Sequence, residues 1–572
     1  MKKVKAFHEK REYVNVREMI EDIGDRYNGK VAYRYRLTPH DKEPVCVTYN
    51  EMRDHVRAFA TEIIARGYKG KKIAVIGKHT YNLIQSYYAT MAIGSVWVPL
   101  DRDWAKEDLL DTVKSGECDL LMCDTDIAEK GQFITENLGL PAPIYLNGDG
   151  EDSLLAWREA GAKKFAEDSS AYFNAEIDPD ALAELVFTSG TTGQGKGVML
   201  SQHNFCSDLA DVIQFIDFSE RCMNVLPPHH TYGSSVSIYG QNCIGCDIYI
   251  SSGVKYILKE LQEHKPGHLV AVPLYVETFY RRITKGIDEK GKLAAGFING
   301  LISFNKNCHK IGLAPFDGFF KKKILSAFGG ELNMLISGGA PLNQEMADLF
   351  DGLGVKVLNG YGITECAPIL AVNHNNYIVP KSVGPVLPIV ECRIADADPD
   401  TGEGEIQVKG PNVMLGYFKN DEANAEAFTE DGFFRTGDAG KMEVTKAGDR
   451  ILYITGRFKN IIILSNGKNV YPEEIEDALS ATPGLVEIIV YEGKSKRGLA
   501  FNTIVCEIYP DKSLLEEKGV TDLQSYFQKF VNEYNKTAVP YKKIGLLKVR
   551  NEEFPKNTLR KILRRKIDMT ID

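Results

Sequence analysis

The segment Phe187-Thr-Ser-Gly-Thr-Thr-Gly-Gln-Gly-Lys-Gly197 carries the densest chemistry in the sequence. Glycines let backbone N–H groups approach phosphate oxygens, while hydroxyls and a lysine add donors and positive charge. Gly190-x4-Gly195-Lys196 nearly spells a P-loop, which then needs Ser or Thr to hold Mg²⁺. The next residue is Gly197, so that reading lacks its metal ligand. Six of the eight residues from Gly190 to Gly197 are Gly or Thr, which is too many for an ordinary turn.

Other reactive-looking patterns are weaker. His229 and His230 are adjacent, but no further ligands fall at zinc spacing around them. Asp396-x-Asp-x-Asp400 suggests a calcium loop. Thr401 and Gln407 stand where an EF-hand needs Gly and Glu, so a turn into a strand at Glu405 is expected. Cys243-Ile-Gly-Cys246 has no partner pair and reads as buried thiols.

The phosphate loop needs elements to hold it. Thr48-x-x-Glu51 forms a capping box, and Met52, Val56, Phe59 and Ile63 follow at helical spacing until Gly67. Short continuous apolar runs at Lys72–Gly77, Ser95–Leu100, Leu120–Cys123, Glu184–Phe187, Met223–Leu226, Met334–Ile336 and Val355–Leu358 predict buried parallel strands between helices. This is a large α/β architecture. Beyond about residue 400, Gly404–Gly410 and Gly432–Asp438 read as short strands broken by turns. A smaller alternating unit starts near Gly456–Asn460.

Composition is consistent with this. The 572 residues exceed one ordinary core, and 44% hydrophobic with 26% charged residues exclude a disordered or fibrous chain. No apolar run reaches the ~18 residues of a membrane-spanning helix. The first sixteen residues lack the apolar core of a secretory signal. Eleven scattered cysteines fit reduced thiols and a cytoplasmic setting. With 69 basic and 78 acidic residues, bulk attraction to nucleic acid is not expected.

The loop resembles the signature of the adenylate-forming superfamily: acyl-CoA synthetases, luciferases and peptide-synthetase adenylation domains. Gly195 departs from the usual proline, which predicts a more mobile loop with its function kept. Five more motifs follow in the superfamily's order: Leu226-Pro-Pro-His-His-Thr-Tyr-Gly233; Ser337-Gly-Gly-Ala-Pro-Leu342; Asn359-Gly-Tyr-Gly-Ile-Thr-Glu365; Arg435-Thr-Gly-Asp438; and Gly456-Arg-Phe-Lys-Asn460, continued by Asn466-Gly-Lys-Asn-Val-Tyr-Pro-Glu-Glu-Ile-Glu476. Pro555-Lys-Asn-Thr-Leu-Arg-Lys561 closes the set, with Arg560 in place of the usual glycine.

The resemblance implies an α/β fold: a large N-terminal domain of layered α/β subdomains, residues 1–457, and a small mobile α+β domain, residues 458–572, rotating about Lys459. It implies ATP, Mg²⁺ and coenzyme A as partners in the reaction. Thr188, Ser189, Gly190, Thr191, Thr192, Gly193 and Lys196 would cradle phosphates. Gly338, Gly339 and Ala340, with Asn359, Gly360, Tyr361 and Gly362, would receive adenine. Thr364 would meet the α-phosphate, and Glu365 is a hard oxygen ligand for Mg²⁺. Asp438 and Arg457 would hold the ribose. His230, with Tyr232, Gly233 and Ser234, would line the acyl tunnel, with Ser234 where some long-chain relatives carry an aromatic gate. Gly467 would reach the thiol tunnel. Lys561 would bridge the charge developing between carboxylate and phosphate, with Lys556 and Arg560 as nearby decoys. Lys561, Thr191, His230 and Glu365 are the expected catalytic set.

Val272-Pro-Leu-Tyr-Val-Glu-Thr-Phe-Tyr-Arg-Arg-Ile283 resembles long-chain fatty acyl-CoA synthetases, so a fatty acid is the expected substrate. An acyl carrier protein is the alternative thiol acceptor, or the reaction stops at the acyl adenylate. A silent nucleotide-binding scaffold is disfavoured by intact Thr191, Glu365, Asp438 and Lys561. The roughly fifty residues before Ser337 place aromatics beside lysines, at Phe304–Lys310 and Phe316–Ile324. These could rest peripherally on a membrane, but the simpler expectation is a helical pair covering the acyl tunnel. The tail from Tyr541 holds ten basic and four acidic residues, usable by CoA, a carrier protein or lipid.

Overall fold

The computed structural model describes residues 6–188, 195–464, 469–494, 500–556 and 562–571. Two large sheets dominate it. The seven-stranded sheet runs in the order Gly416–Tyr417, Lys196–Ser201, Leu182–Thr188, Val96–Leu100, Lys72–Ile76, Leu120–Cys123, Ile144–Tyr145. From Leu182–Thr188 onward these strands are parallel, as their continuous apolar sequences require. Lys196–Ser201 is instead antiparallel to Leu182–Thr188, so the Gly/Thr loop joins two strands of a hairpin. A P-loop runs from a strand into a helix, and here the helix begins only at Gln202. The topology therefore excludes the P-loop reading.

The eight-stranded sheet runs Ile369–Val372, Lys356–Gly362, Met334–Ser337, His268–Ala271, Arg221–Asn224, Asp247–Ile250, Val31–Tyr35, Val45–Thr48. The helix Gln202–Phe215 touches strands of both sheets. Ser201 and Asn204 close its capping box, and it is buried along most of its length. Its buried Asp208 accepts from Ile369 N–H at 3.2 Å and from Asn412 Nδ2 at 3.3 Å, which ties the helix to the second sheet's edge.

Most predicted elements are present. Thr48 and Glu51 form the capping box of Tyr49–Ala65, and Gly67 follows with a left-handed φ of +84°. Two boundaries shift. The strand expected at Met223–Leu226 is Arg221–Asn224, because Pro227 and Pro228 remove the donors a ladder needs. The strand expected at Val355–Leu358 continues to Gly362, because Gly360 and Tyr361 pair with Val372 and Ala371.

A five-stranded antiparallel sheet follows, ordered Gly384–Pro385, Arg450–Arg457, Phe434–Val444, Gly404–Lys409, Glu391–Ala395. Phe434–Val444 is one long strand where short broken ones were expected, since its first half pairs with Gly404–Lys409 and Asp438–Val444 pairs with Arg450–Arg457. The Asp396–Asp400 pattern is a turn in which the Asp398 carboxylate accepts from Asp400 and Thr401 N–H groups.

Beyond a 3₁₀ turn at Phe458–Asn460, the strands Leu485–Lys494, Ala500–Pro510 and Ile544–Val549 form a separate three-stranded sheet. They share a core of their own with Ile475, Phe527 and Val531 from the helices Pro472–Ser480 and Leu523–Thr537. None of the eleven cysteines is in a disulfide. Among the described residues, no helix is long and apolar enough to cross a membrane.

Candidate active site

The hairpin Leu182–Thr188/Lys196–Ser201 flanks the loop expected to cradle phosphates. Thr188 faces Lys196 across the ladder, and its hydroxyl donates to Lys196 O at 3.4 Å. Ser189, Gly190, Thr191, Thr192 and Gly193 lie outside the described residues. At Gly195 a Cβ would stand 2.5 Å from Thr188 O, so the hairpin closes over this residue only because it is glycine.

Lys196 Nζ lies 4.6 Å from the ring centroid of Tyr417, a cation–π distance. Tyr417 arrives on the short edge strand Gly416–Tyr417, paired with Val198 and Met199. Its hydroxyl donates to Glu365 Oε1 at 2.9 Å. Glu365 sits in the 3₁₀ turn Thr364–Cys366, and its carbonyl accepts from Met414 N–H. Thus the loop lysine and the predicted metal ligand converge on one buried tyrosine. The sequence reading missed Tyr417, whose only sequence mark is an aromatic after glycine in Leu415-Gly-Tyr417. Glu365 is half-buried and, among the described residues, its Oε2 has no partner. A carboxylate oxygen held in that way suits a hard cation.

At the carboxyl ends of the parallel strands, Ser337 and Asn359 face each other in register. Ser337 Oγ and Asn359 Oδ1 are buried without partners among the described residues. Two polar atoms so placed form a cradle for a ligand at the position where open α/β sheets bind one. Gly338, Gly339 and Ala340 follow directly, and Gly339 turns the chain with φ +83°. Gly360, Tyr361 and Gly362 end the neighbouring strand.

Tyr361 is buried, and its hydroxyl donates to Asp438 Oδ2 at 2.7 Å. Arg457 Nε lies 3.0 Å from Asp438 Oδ1. Asp438 and Arg457 are also ladder partners, so backbone register and charge agree. Three predicted nucleotide residues from three distant motifs are therefore one cluster. Thr364 lies in the same turn as Glu365.

The histidine pair begins a different region. His229 Nε2 lies 3.6 Å from Asp101 Oδ2, and the two imidazole rings are 4.5 Å apart. Burial lowers the pKa of His229 to about 4 and of His230 to about 3, with the neighbouring His229 adding to the latter. Both imidazoles are neutral near pH 7. Their carboxyl neighbour, Asp101, is buried at the end of the strand Val96–Leu100.

Tyr232–Gly240 is a π-helix, a form that concentrates at functional sites. Gly233 permits its entry, since a Cβ there would stand 2.2 Å from Pro227 O. Tyr232 donates to Ile336 O at 3.1 Å and packs against Gly338. Ser234, at the gate position, is fully buried. Behind it lies Glu184, also fully buried, whose Oε1 accepts from Ser234 Oγ at 3.5 Å. Among the described residues Glu184 Oε2 has no partner, and burial raises this carboxyl to about 8. In the sequence Glu184 reads as an ordinary strand residue.

Cys243 and Cys246 are buried thiols, as expected. Cys246 adjoins Cys222 and His268. His268 Nδ1 accepts from Ser219 N–H and its Nε2 faces Gln241 Oε1, so neither nitrogen is left for a metal.

Lys459 is exposed in the turn Phe458–Asn460. Gly467 and Lys561 lie outside the described residues. Of the decoys, Arg560 also lies outside them, and Lys556 is committed to an ion pair with Glu487 and Glu553. Arg564 bridges Glu473 and Glu476 and donates to Val490 O, pinning the chain just after Lys561. The C-terminal unit meets the rest where Tyr471 and Glu473 pack against Gly456, and side-chain bonds cross from Asn343, which donates to Asp477 O and Ser480 Oγ, and from Arg281, which donates to Leu485 O.

A model of the AMP-binding enzyme family matches residues 20–418, which hold the Lys196–Tyr417–Glu365 cluster, the Ser337–Asn359 cradle and the histidine pair. The chain belongs to the AMP-binding enzyme family. It is an AMP-forming acid–thiol ligase. The long-chain-fatty-acid–CoA ligase FadD15 of Mycobacterium bovis is 30% identical over 466 residues, covering 78% of this chain and 75% of that protein. The chloroplastic long-chain-fatty-acid–[acyl-carrier-protein] ligase AEE15 of Arabidopsis thaliana is 26% identical over 561 residues, covering 85% of this chain and 76% of that one. Among solved structures, ATP-bound MatB from Rhodopseudomonas palustris superposes with a TM-score of 0.73 at 25% identity, covering 96% of this ligase and 97% of MatB.

Proposed function

We propose that this ligase activates a long-chain fatty acid with ATP and passes the acyl group to the thiol of coenzyme A. The convergence of Lys196 and Glu365 on Tyr417 carries the nucleotide half of the proposal. The acyl half rests on the long-chain-fatty-acid ligases among the relatives.

In the first step a carboxylate oxygen attacks the α-phosphorus, the bond to pyrophosphate breaks, and an acyl adenylate forms. Little proton transfer is needed, so catalysis is positioning and charge stabilisation. The loop 188–196 cradles phosphates, Tyr361 and Gly338–Ala340 face adenine, and Asp438 with Arg457 holds the ribose. Glu365 would hold Mg²⁺, which supplies charge neutralisation on the phosphates when bound. Neutral His230 orients the carboxylate without adding charge, and Lys561 neutralises charge that develops at the α-phosphate. In the second step the thiol sulfur attacks the acyl carbon and AMP leaves with its oxygen.

The two steps require different groups at one site. Residues 1–457 and 458–572 are assigned as two domains, with Lys459 the hinge whose rotation withdraws Lys561 and presents Gly467. The exposure of Lys459 and the few side-chain bonds from Asn343 and Arg281 support such a motion. A cytoplasmic setting belongs to the same reading.

A second reading, transfer to an acyl carrier protein, is favoured by AEE15 and by the basic tail from Tyr541. Mass spectrometry of products from ATP, Mg²⁺ and a fatty-acid panel, with and without CoA, separates the two. Acyl-CoA with AMP is expected. Acyl adenylate accumulating despite CoA favours the carrier protein, and absence of both products from folded protein overturns the fatty-acid reading.

A further inference from the structure

The helix Lys292–His309 is anchored firmly on one side. Ala295, Ile302, Asn305 and Cys308 are buried. Ile302 packs so closely on Gly352 of the helix Gln344–Gly352 that a Cβ there would stand 2.5 Å from its side chain. Buried Asn305 donates to Gly352 O and to Asp317 Oδ1, and accepts from Phe316 N–H. The next helix, Asp317–Lys323, is thereby fixed against the first.

The opposite face is apolar and uncovered. Leu293, Phe297 and Phe304 fall within a ~40° stripe at helical spacing, and Ile311 continues it past the helix end. Their exposures are 93%, 69%, 56% and 73%. Phe319, 48% exposed, stands on the neighbouring helix against Phe320, whose ring is 6.4 Å from that of Phe316, itself 6.2 Å from that of Phe304. Single exposed apolar residues are ordinary, but a contiguous row on a rigid helix marks an interaction surface.

Charge identifies the partner. Residues 281–323 hold ten basic and three acidic residues in a chain with net charge −9. Lys290, Lys292, Lys310, Lys322 and Lys323 are exposed around the apolar row. Lysines flanking an apolar stripe suit a bilayer, where stems lie along the acyl boundary and ammonium groups reach anionic headgroups. A two-fold pairing with a second copy would set these lysines against their own kind.

We propose that the face formed by Leu293, Phe297, Phe304, Ile311 and Phe319 docks on an anionic lipid surface. The helical pair is then a peripheral membrane contact as well as a cover for the core. This surface lies outside the catalytic clusters, and its test does not depend on the substrate reading.

The test is co-sedimentation of the full chain with vesicles of phosphatidylcholine alone and of phosphatidylcholine with phosphatidylglycerol in equal parts. Wild type should partition onto the anionic vesicles, less so as salt rises. Leu293→Ser/Phe297→Ser/Phe304→Ser should reduce partitioning at least about tenfold, with an unchanged melting temperature showing that the fold is kept. Lys310→Glu/Lys322→Glu/Lys323→Glu should reduce it about a hundredfold on anionic vesicles and little on neutral ones. Wild type that stays in solution with both vesicles, or binding that neither variant weakens, overturns the proposal. So does a wild-type dimer that fails to bind vesicles and that the serine variant dissociates.

Discussion

The Tyr417 hydroxyl donates to Glu365 Oε1 at 2.9 Å while its ring carries Lys196 Nζ on its face, 4.6 Å from the centroid. One side chain thereby aligns the anion assigned to Mg²⁺ and the cation assigned to phosphate. Tyr417→Phe keeps the ring and removes only the donor. A hydrogen bond to a charged group contributes ~1.5–3 kcal/mol, so Glu365 should lose orientation and adenylate formation should slow about ten- to hundredfold. The Mg²⁺ concentration giving half-maximal rate should rise. An unchanged Mg²⁺ dependence would show that Tyr417 is only structural.

Tyr361 and Arg457 divide the Asp438 carboxylate between them, one on each oxygen. Asp438→Ala should raise KM for ATP about a hundredfold, since a charged acceptor of two donors is lost. Tyr361→Phe should raise it a few-fold and leave KM for the acid unchanged. Steady-state kinetics on both substrates checks this, and equal effects on both KM values would contradict a nucleotide-specific role.

Glu184 makes stability depend on pH. Burial raises this carboxyl from its ordinary 4.5 to about 8. The folded chain keeps the proton to higher pH than the unfolded chain, so the stabilising effect is complete below about 4.5 and is lost as pH rises toward about 8. Glu184→Gln stays neutral throughout. Between about pH 5 and pH 8 the wild type should lose on the order of 4 kcal/mol relative to the variant, measured by denaturant unfolding at each pH. Parallel pH profiles would show that Glu184 finds a partner when it ionises.

Much of this architecture is legible in the residues. The strand Leu120–Cys123 stands where its apolar run predicts, because a parallel strand covered on both faces reads as one unbroken segment. The Asp438–Arg457 pair is legible because each residue belongs to a local motif. Tyr417 is not, because its partner Glu365 is fifty-two positions away and nothing near either marks the pairing. Glu184 is hidden because its burial depends on register. It lies opposite Trp97 and beside the π-helix, and an acid within an apolar run gives no sign of which face it takes. The row on Lys292–His309 is hidden for a related reason. That helix is apolar on two faces, and only the packed structure shows which of them the core takes.

Lys561 carries the central assignment, and the half-reactions of Lys561→Ala test it most directly. One assay follows acyl adenylate from ATP and fatty acid, and the other follows acyl-CoA from supplied acyl adenylate and CoA. The first should fall by about a thousandfold, as for loss of a group that stabilises transition-state charge, with the second within a few-fold of wild type. Equal loss of both, or full retention of the first, would contradict a C-terminal domain that brings its lysine for activation and withdraws it for transfer.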